Sequence, residues 1–418
     1  MQPIDVCALV LALAAMIGCV NHLWVKLPRS IGVLVGSLFL SAAVMAADRF
    51  SGLPLVSWYR VTMGAADLPH IFLDGTLALL LFAGSLHVDA RELNRGKWII
   101  LILATASVIL SAVIFGAGIW AAFRVAGFAV PFVWCCVIGA ILAPTDAVVV
   151  ESFLRRAPLP ARLRGMITGE SLFNDGAALV LYLAVLGITE GHTNLIGHGR
   201  LFEALSLAVA GGALIGGLCG AAASWLIRWV QDEGLQLLIS LALVIGCYRF
   251  AEAAQVSAPI AVVTAGICVK LLTPGLAIEA GQYATLVGFW GLLDELLDTI
   301  LFLLIGFQVL ALTFGGLLLP AIMAVPLALA ARLLSVAVPV SLSRQPFGDK
   351  LRDIAVLTWT GLRGGISVAL ALTLPPSAYR AQLLGVCYAV VVFTIVVQGL
   401  TMTRVLHALY GRHVVRLP

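Results

Sequence analysis

Three acids stand in two successive apolar stretches of this chain, with types and spacing suited to handling a small cation and a proton. The first stretch contains Ala143-Pro144-Thr145-Asp146, and the second contains Gly169-Glu170-Ser171-Leu172-Phe173-Asn174-Asp175-Gly176. Both are long enough to cross a bilayer, so Asp146, Glu170 and Asp175 would sit where hydrocarbon surrounds them. An Asp at the bilayer centre costs at least ~2.5–3.5 kcal/mol, and by default it is read as functional. Pro144 removes a helical hydrogen bond and clashes with the preceding turn, which frees backbone carbonyls at membrane depth. Freed carbonyls beside Thr145 and Asp146 would be ligands for a hard monovalent cation. Asp146 would also offset the positive helix end that the break creates. The plainer reading is a kink whose Asp caps the second half-helix, and the two roles are compatible.

In the second stretch Ser171 and Asp175 are four residues apart and share one helix face. Glu170 and Asn174 share another face, rotated by roughly 100°. The first pair is expected to point at the break in the preceding span and the second toward neighbouring helices. A carboxylate in a partly hydrated cavity can take up a proton as well as a cation. Competition between the two for Asp175 is the chemistry of antiport.

Further along, Arg363 lies between Gly361 and Gly364-Gly365 in an apolar segment, where a guanidinium needs a carboxylate or the carbonyls of a broken helix. Glu170 is its expected partner, in a pair that holds the core together and does not carry the ion. Arg332, inside another apolar segment, is expected to pair with a carboxylate or a carbonyl.

The elements that position these residues follow from composition. The chain has 418 residues, of which 61% are hydrophobic and only 11% charged, against about 25% charged in a soluble domain. That balance excludes a soluble α/β domain and implies an all-α polytopic membrane protein. A span needs ~20 apolar residues. Thirteen segments qualify, near 6–25, 30–47, 71–88, 98–123, 130–154, 163–188, 202–228, 235–254, 258–273, 288–312, 316–342, 352–374 and 384–409. The connection at 48–70, with Pro54, Trp58, Arg60, Asp67 and Pro69, reads as a surface or interfacial turn, and 189–200 as an exposed loop. No Lys or Arg precedes Lys26, so the first segment is expected to be a retained helix and not a signal peptide.

Placing the N-terminus outside puts seventeen of the 25 Lys and Arg residues on the inner side and six on the outer, leaving Arg332 and Arg363 within spans. That asymmetry predicts an external N-terminus and a cytoplasmic C-terminus in the cell's plasma (inner) membrane. Trp24, Trp98, Trp120, Trp134 and Trp229 fall near segment ends, as interfacial anchors should. Glycines such as Gly211, Gly212, Gly216, Gly217 and Gly220 predict close helix packing. The eight cysteines (7, 19, 135, 136, 219, 247, 268 and 387) have no metal-ligand spacing and read as small buried residues. The fifth span is interrupted at Pro144 and the twelfth at Thr360–Gly365, seven helices later. An odd number of steps reverses the direction of travel, and paired interrupted spans point to a transporter's binding site.

The runs Ala143–Asp146, Gly169–Gly176 and Gly361-Leu-Arg-Gly-Gly-Ile-Ser-Val-Ala369 resemble the signature stretches of the sodium/proton exchanger family, in its prokaryotic NhaP-type branch. The resemblance spans essentially the whole chain and implies an NhaA-like fold with two inverted six-helix repeats and crossed broken helices. It implies that Asp175 binds ion and proton, helped by Asp146, Thr145 and Ser171. It further implies that Asn174 stabilises the crossover, and that Glu170 and Arg363 form an internal salt bridge. A single transmembrane domain is expected, with 98–188 and 316–409 as ion-carrying core, 1–88 and 235–312 as dimerising scaffold, and 202–228 as linker helix. The Asn174-Asp175 pair implies electroneutral exchange of Na⁺, or of Li⁺ or K⁺, for H⁺, serving pH and sodium homeostasis. The expected partners are these ions, the lipid bilayer and a second copy of the chain. No cofactor, no nucleic acid and no enzymatic activity are expected.

Two places depart from the family pattern. Many relatives carry Glu where Ala83 stands, so an auxiliary carboxylate is missing. In the tenth span relatives usually have Glu at the position of Gly291 and Asn at that of Asp298. The cluster of Asp294, Glu295 and Asp298 reads either as a cation-attracting funnel or as a solvated helix end. His22, His87 and His407 read as interfacial, and Asp74 as a minor candidate for the cavity. The rivals to antiport are a K⁺-selective exchanger, another proton-coupled carrier, a passive channel, and an intramembrane enzyme built on Ser171 and Asp175. About nine residues follow the last span, so no large cytoplasmic regulatory domain is expected.

Overall fold

The computed structural model describes the chain except for residues 1–2, 52–53, 55, 58, 60–75, 88–89, 147–149, 151–152, 155–156, 158, 190–199, 274–282, 312–317, 344–348 and 412–418. Most of the expected turn at 48–70, the loop at 189–200 and Asp74 therefore lie outside the described residues, as does the side chain of His87. The described residues are helical, with no strand among them.

Helix α1 spans Pro3–Val20 and runs through a π turn, Asn21–Val25, into α2, Arg29–Ser51. The Asn21 side chain closes this corner, since its amide donates to the Leu27 carbonyl at 3.0 Å and its oxygen accepts from the Leu27 N–H at 3.2 Å. Next come α3 (Leu77–His87), α4 (Ala90–Ala104) and α5 (Ala106–Val125). Thr105 separates the last two and returns its hydroxyl to the Leu101 carbonyl at 2.6 Å, a bond that competes with the helical ladder. Helix α6 (Phe132–Ile141) is short, and α7 (Ala161–Thr189) and α8 (Arg200–Trp229) are long. The chain continues as α9 (Glu233–Ala253), α10 (Ala258–Leu272), α11 (Ala284–Phe307) and α12 (Leu318–Leu342). Helices α13 (Lys350–Trp359) and α14 (Gly365–Leu372) are two short halves of one span. Finally α15 (Arg380–Phe393) passes through a π turn, Thr394–Gln398, into α16 (Gly399–Tyr410).

Eight stretches of the described residues are long and apolar enough to cross a membrane, and Leu77–Leu86, Phe132–Ile141 and Ala258–Leu272 are shorter apolar helices. The protein is a multi-pass membrane protein. Large apolar side chains such as Phe39 and Leu218 stand exposed around the bundle, as they do where lipid is the outer solvent. Trp24, Trp98 and Trp229 are likewise exposed. Cys7 and Cys19 are exposed on α1, contrary to the expectation that all the cysteines are buried. All eight are free thiols.

Buried apolar residues fall into clusters with different owners. The largest draws on α4 to α7 and on α12 to α16, with Ile31 and Phe302 reaching in from α2 and α11. A second joins α3, α8, α9, α10 and the first turns of α11. In the second, Gly212, Gly216 and Gly220 repeat every four residues along α8, and a Cβ at each would fall 2.5, 2.0 and 2.7 Å from the backbone oxygens of Ser257, Ala261 and Ala265. This small-residue stripe lets α8 lie directly on the backbone of α10, as its spacing predicted. A third, smaller cluster packs α1 against α2 and α11.

Candidate ion-binding site

The helical break after α6 occurs where Pro144 requires it. Residues 144–146 are non-helical, and residues 360–364 interrupt the span of α13 and α14. The two breaks meet, and the Asp146 N–H donates to the Leu362 carbonyl at 2.8 Å. Each break leaves one negative and one positive helix end. The guanidinium of Arg363, from the second break, donates to the carbonyls of Ala143 and Pro144 in the first. The carboxylate of Asp146, from the first, lies against Gly364, immediately before the start of α14. A side chain at Gly364 would drive a Cβ onto the Asp146 carboxylate, so glycine is needed here for close approach. Each charge thus offsets the helix end presented by the other break.

This arrangement changes two expectations. The carbonyls of Ala143 and Pro144 hold Arg363, so they are not left for a cation. Nor is Glu170 the partner of Arg363. It forms a two-pronged salt bridge with Arg332 of α12, whose Nη2 reaches Oε2 at 3.0 Å and whose Nη1 meets Oε1. Arg332 also donates to the Leu357 carbonyl from Nε at 3.2 Å and Nη2 at 2.9 Å, close to the end of α13. Arg363 found the other solution open to it, the carbonyls of a broken helix. Arg332 pairs with a carboxylate and a carbonyl, as expected of it.

On α7, Ser171 faces the first break, and its hydroxyl lies 2.9 Å from that of Thr145. Asn174 faces the break as well, donating from Nδ2 to Thr145 Oγ1 at 2.8 Å. It therefore parts company with Glu170, with which the helical spacing had grouped it. Thr145, Ser171, Asn174 and Asp175 are all buried. Asp175 is only 3% exposed, and its Oδ1 has no hydrogen-bond partner among the described residues.

Asp175 and Asp146 line a small cavity of ≈ 30 Å³, walled by Leu77, Leu80, Leu81 and Gly84 of α3, Leu172 of α7, Asp298 and Leu301 of α11, and Ile366 of α14. That volume admits an ion or one or two waters. No Lys or Arg is among the residues that line it. Three acids at one cavity whose lining holds no Lys or Arg favour an occupant that is a cation or a proton.

The acidic cluster of α11 divides in two. Glu295 is exposed and paired with Arg29 of α2. Asp298 is buried, lines the cavity, and accepts a hydrogen bond from the Ser30 hydroxyl. Neither a funnel nor a solvated helix end describes Asp298. The available signal was its position one turn beyond Asp294 toward the apolar half of α11. Ala83, where a carboxylate was missed, is fully buried in the apolar cluster of α3 and α10. No group of three or more metal-binding side chains occurs among the described residues.

Residues 9–408 match the family model described as sodium/hydrogen exchanger, transmembrane. The Na(+)/H(+) antiporter NhaP of Pseudomonas aeruginosa is 34% identical over 418 residues, covering 98% of this chain and 97% of its own. The Na(+)/H(+) antiporter NhaH of Halobacillus dabanensis is 29% identical over 330 residues, covering 78% of this chain and 80% of its own. The solved structure of the sodium proton antiporter MjNhaP1 from Methanocaldococcus jannaschii at pH 8 superposes with a TM-score of 0.71 at 19% identity, covering 98% of this chain and 99% of that one. At that identity the likeness is one of fold.

Proposed function

Because the chain belongs to the sodium/hydrogen exchanger family, we propose that it exchanges Na⁺ for H⁺ across the plasma membrane by alternating access, with Asp175 as the carrier. The observation that carries this reading is the Asp175 carboxylate itself, buried, with an unpartnered oxygen, in a cavity that offers no cationic side chain. Such a group is costly as a bare anion and is relieved by either a proton or a cation. It crosses readily when loaded and poorly when empty, which couples the two fluxes. A carboxylate that holds one Na⁺ or one H⁺ in turn moves no net charge per cycle, so the exchange is electroneutral. Asp146 shares the cation, while Thr145 and Ser171 supply hydroxyl oxygens. Asn174 fixes Thr145, and Glu170 and Arg363 stiffen the surroundings.

The architecture in this reading has thirteen spans in two inverted repeats. The ion-carrying core comprises 98–188 and 316–409, the scaffold 1–88 and 235–312, and the helix at 202–228 links them. The apolar clusters support that division, although α2 and α11 contribute to the core's cluster. The N-terminus is outside, the C-terminus cytoplasmic, and the scaffold joins two copies.

The test is dissipation of a pH gradient in proteoliposomes on adding Na⁺, Li⁺ or K⁺, with wild type beside Asp175→Asn. Exchange in the wild type alone supports the reading. Equal exchange by the variant removes Asp175 as carrier. Exchange with K⁺ alone replaces sodium by potassium, and no proton movement with any of the three ends the antiport reading.

A further inference from the structure

A third carboxylate reaches the cavity from a helix that carries neither break. Asp298 of α11 is 7% exposed and lines the same ≈ 30 Å³ space as Asp146 and Asp175. Its Oδ2 accepts from the Ser30 hydroxyl, a neutral donor that orients the carboxylate without cancelling its charge. The contrast with Glu295, one turn earlier on α11, is informative. Arg29 pairs with that exposed acid, while the adjacent residue of α2, Ser30, is what meets the buried one. No Lys or Arg lines the cavity, and one oxygen of the buried Asp175 is without a partner there. Three carboxylates around so small a space repel one another strongly in a low-dielectric interior. A hard cation prefers oxygen ligands, and a cation in this space relieves the carboxylates that face it.

We propose that Asp298 is a direct ligand of the transported cation, so that the ion is held across the seam between α11 and the helices bearing the crossed breaks. This deepens the antiport reading and rests on it for the identity of the ion. Asp298 then sets cation affinity from the α11 side of the cavity, while Asp146 and Asp175 bind from the side of the breaks.

The experiment is stabilisation of the purified full-length protein against heat by Na⁺, titrated at constant ionic strength with choline as the replacing cation. Wild type should be stabilised, and Asp298→Asn should need at least tenfold more Na⁺ for the same effect. Asp298→Ser, smaller and also neutral, carries the same expectation if the Asn variant does not fold. Glu295→Gln should stay within twofold of wild type. A neutral Asp298 variant within twofold of wild type would overturn the proposal, as would a shift of tenfold or more in Glu295→Gln. A wild type that no Na⁺ concentration stabilises would overturn it too. Proteoliposome exchange separates this inference from the broader one. A wild type that binds Na⁺ through Asp298 but exchanges no protons sinks antiport and leaves the ligand standing. A wild type that exchanges, with Na⁺ binding indifferent to Asp298, sinks the ligand alone.

Discussion

Two buried acids lie five residues apart on α7 and are treated in opposite ways. Glu170 is met by both prongs of Arg332, which also reaches the Leu357 carbonyl. Asp175, a little over one turn further on, faces a cavity with other acids and no cationic side chain. Burial is the same for the two carboxylates, at 1% and 3% exposed, so burial does not distinguish them. Compensation does. A compensated charge is part of the frame, and an uncompensated one is kept for something that comes and goes.

That contrast fixes what should happen when each charge is removed. The largest effect on transport belongs to Asp175→Asn, which should reduce exchange to the rate of empty liposomes. Thermal melts should show it no less stable than wild type, because the lost charge had no partner; a large fall in melting temperature would break the comparison. The largest effect on stability belongs to Glu170→Gln or Arg332→Ala, each stranding a buried charge or a buried donor set at a cost of about 3–5 kcal/mol. Replacing both, as Glu170→Leu with Arg332→Met, should recover much of that loss, and denaturation of the single and double variants reads the coupling directly.

Smaller effects sharpen the boundary between the two kinds of charge. Gly364→Ala places a methyl on the Asp146 carboxylate and should cost about 1–3 kcal/mol of overpacking. Exchange should fall at least as steeply as stability, because Asp146 is displaced from the cavity. Thr145→Val removes the acceptor of Asn174 and the neighbour of Ser171, a loss of about 1 kcal/mol per hydrogen bond. It should appear as a severalfold rise in the Na⁺ KM with kcat largely kept. The smallest effect belongs to Arg29→Gln, which breaks an exposed pair worth about 0–1 kcal/mol and should leave melting temperature and exchange near wild type.

Much of this site is legible along the chain because local chemistry writes it there. Pro144 cannot continue a helix, Gly361 and Gly364-Gly365 weaken one, and both interruptions occur where the residues require them. The approach of Ser171 to Thr145 follows from which face of α7 carries Asp175. What stays illegible depends on the rotation of one helix against another. Arg332 and Arg363 are both buried cations inside spans, and no spacing tells which of them α12 or the second break will turn toward Glu170. Asn174 shares a nominal face with Glu170, yet the break lies close enough for its amide to reach Thr145. Asp294, Glu295 and Asp298 look alike as a cluster, and only the packing of α2 against α11 separates a surface ion pair from a cavity acid. The exposure of Cys7 and Cys19 has the same cause, since a one-dimensional apolar run does not say which side meets lipid.

The crossing of the two breaks has a mechanical side. The segments at 143–146 and 361–364 are pinned to each other by the Asp146 N–H on Leu362 and by Arg363 on two consecutive carbonyls. The Arg363 N–H is in turn fastened to the Thr394 hydroxyl at 3.2 Å, in the π turn between α15 and α16. Any pull on one segment is therefore transmitted to the other within a bond length, and to a third helix besides. The joint behaves as a rivet and not as a hinge. The cavity wall that α3 and α11 present to this joint is different, since Leu77, Leu80 and Leu301 offer apolar side chains there. Along α11 the tie to the core is of another kind, the Tyr388 hydroxyl of α15 donating to the Ile305 carbonyl at 2.6 Å, a single bond beside the several that clamp the breaks.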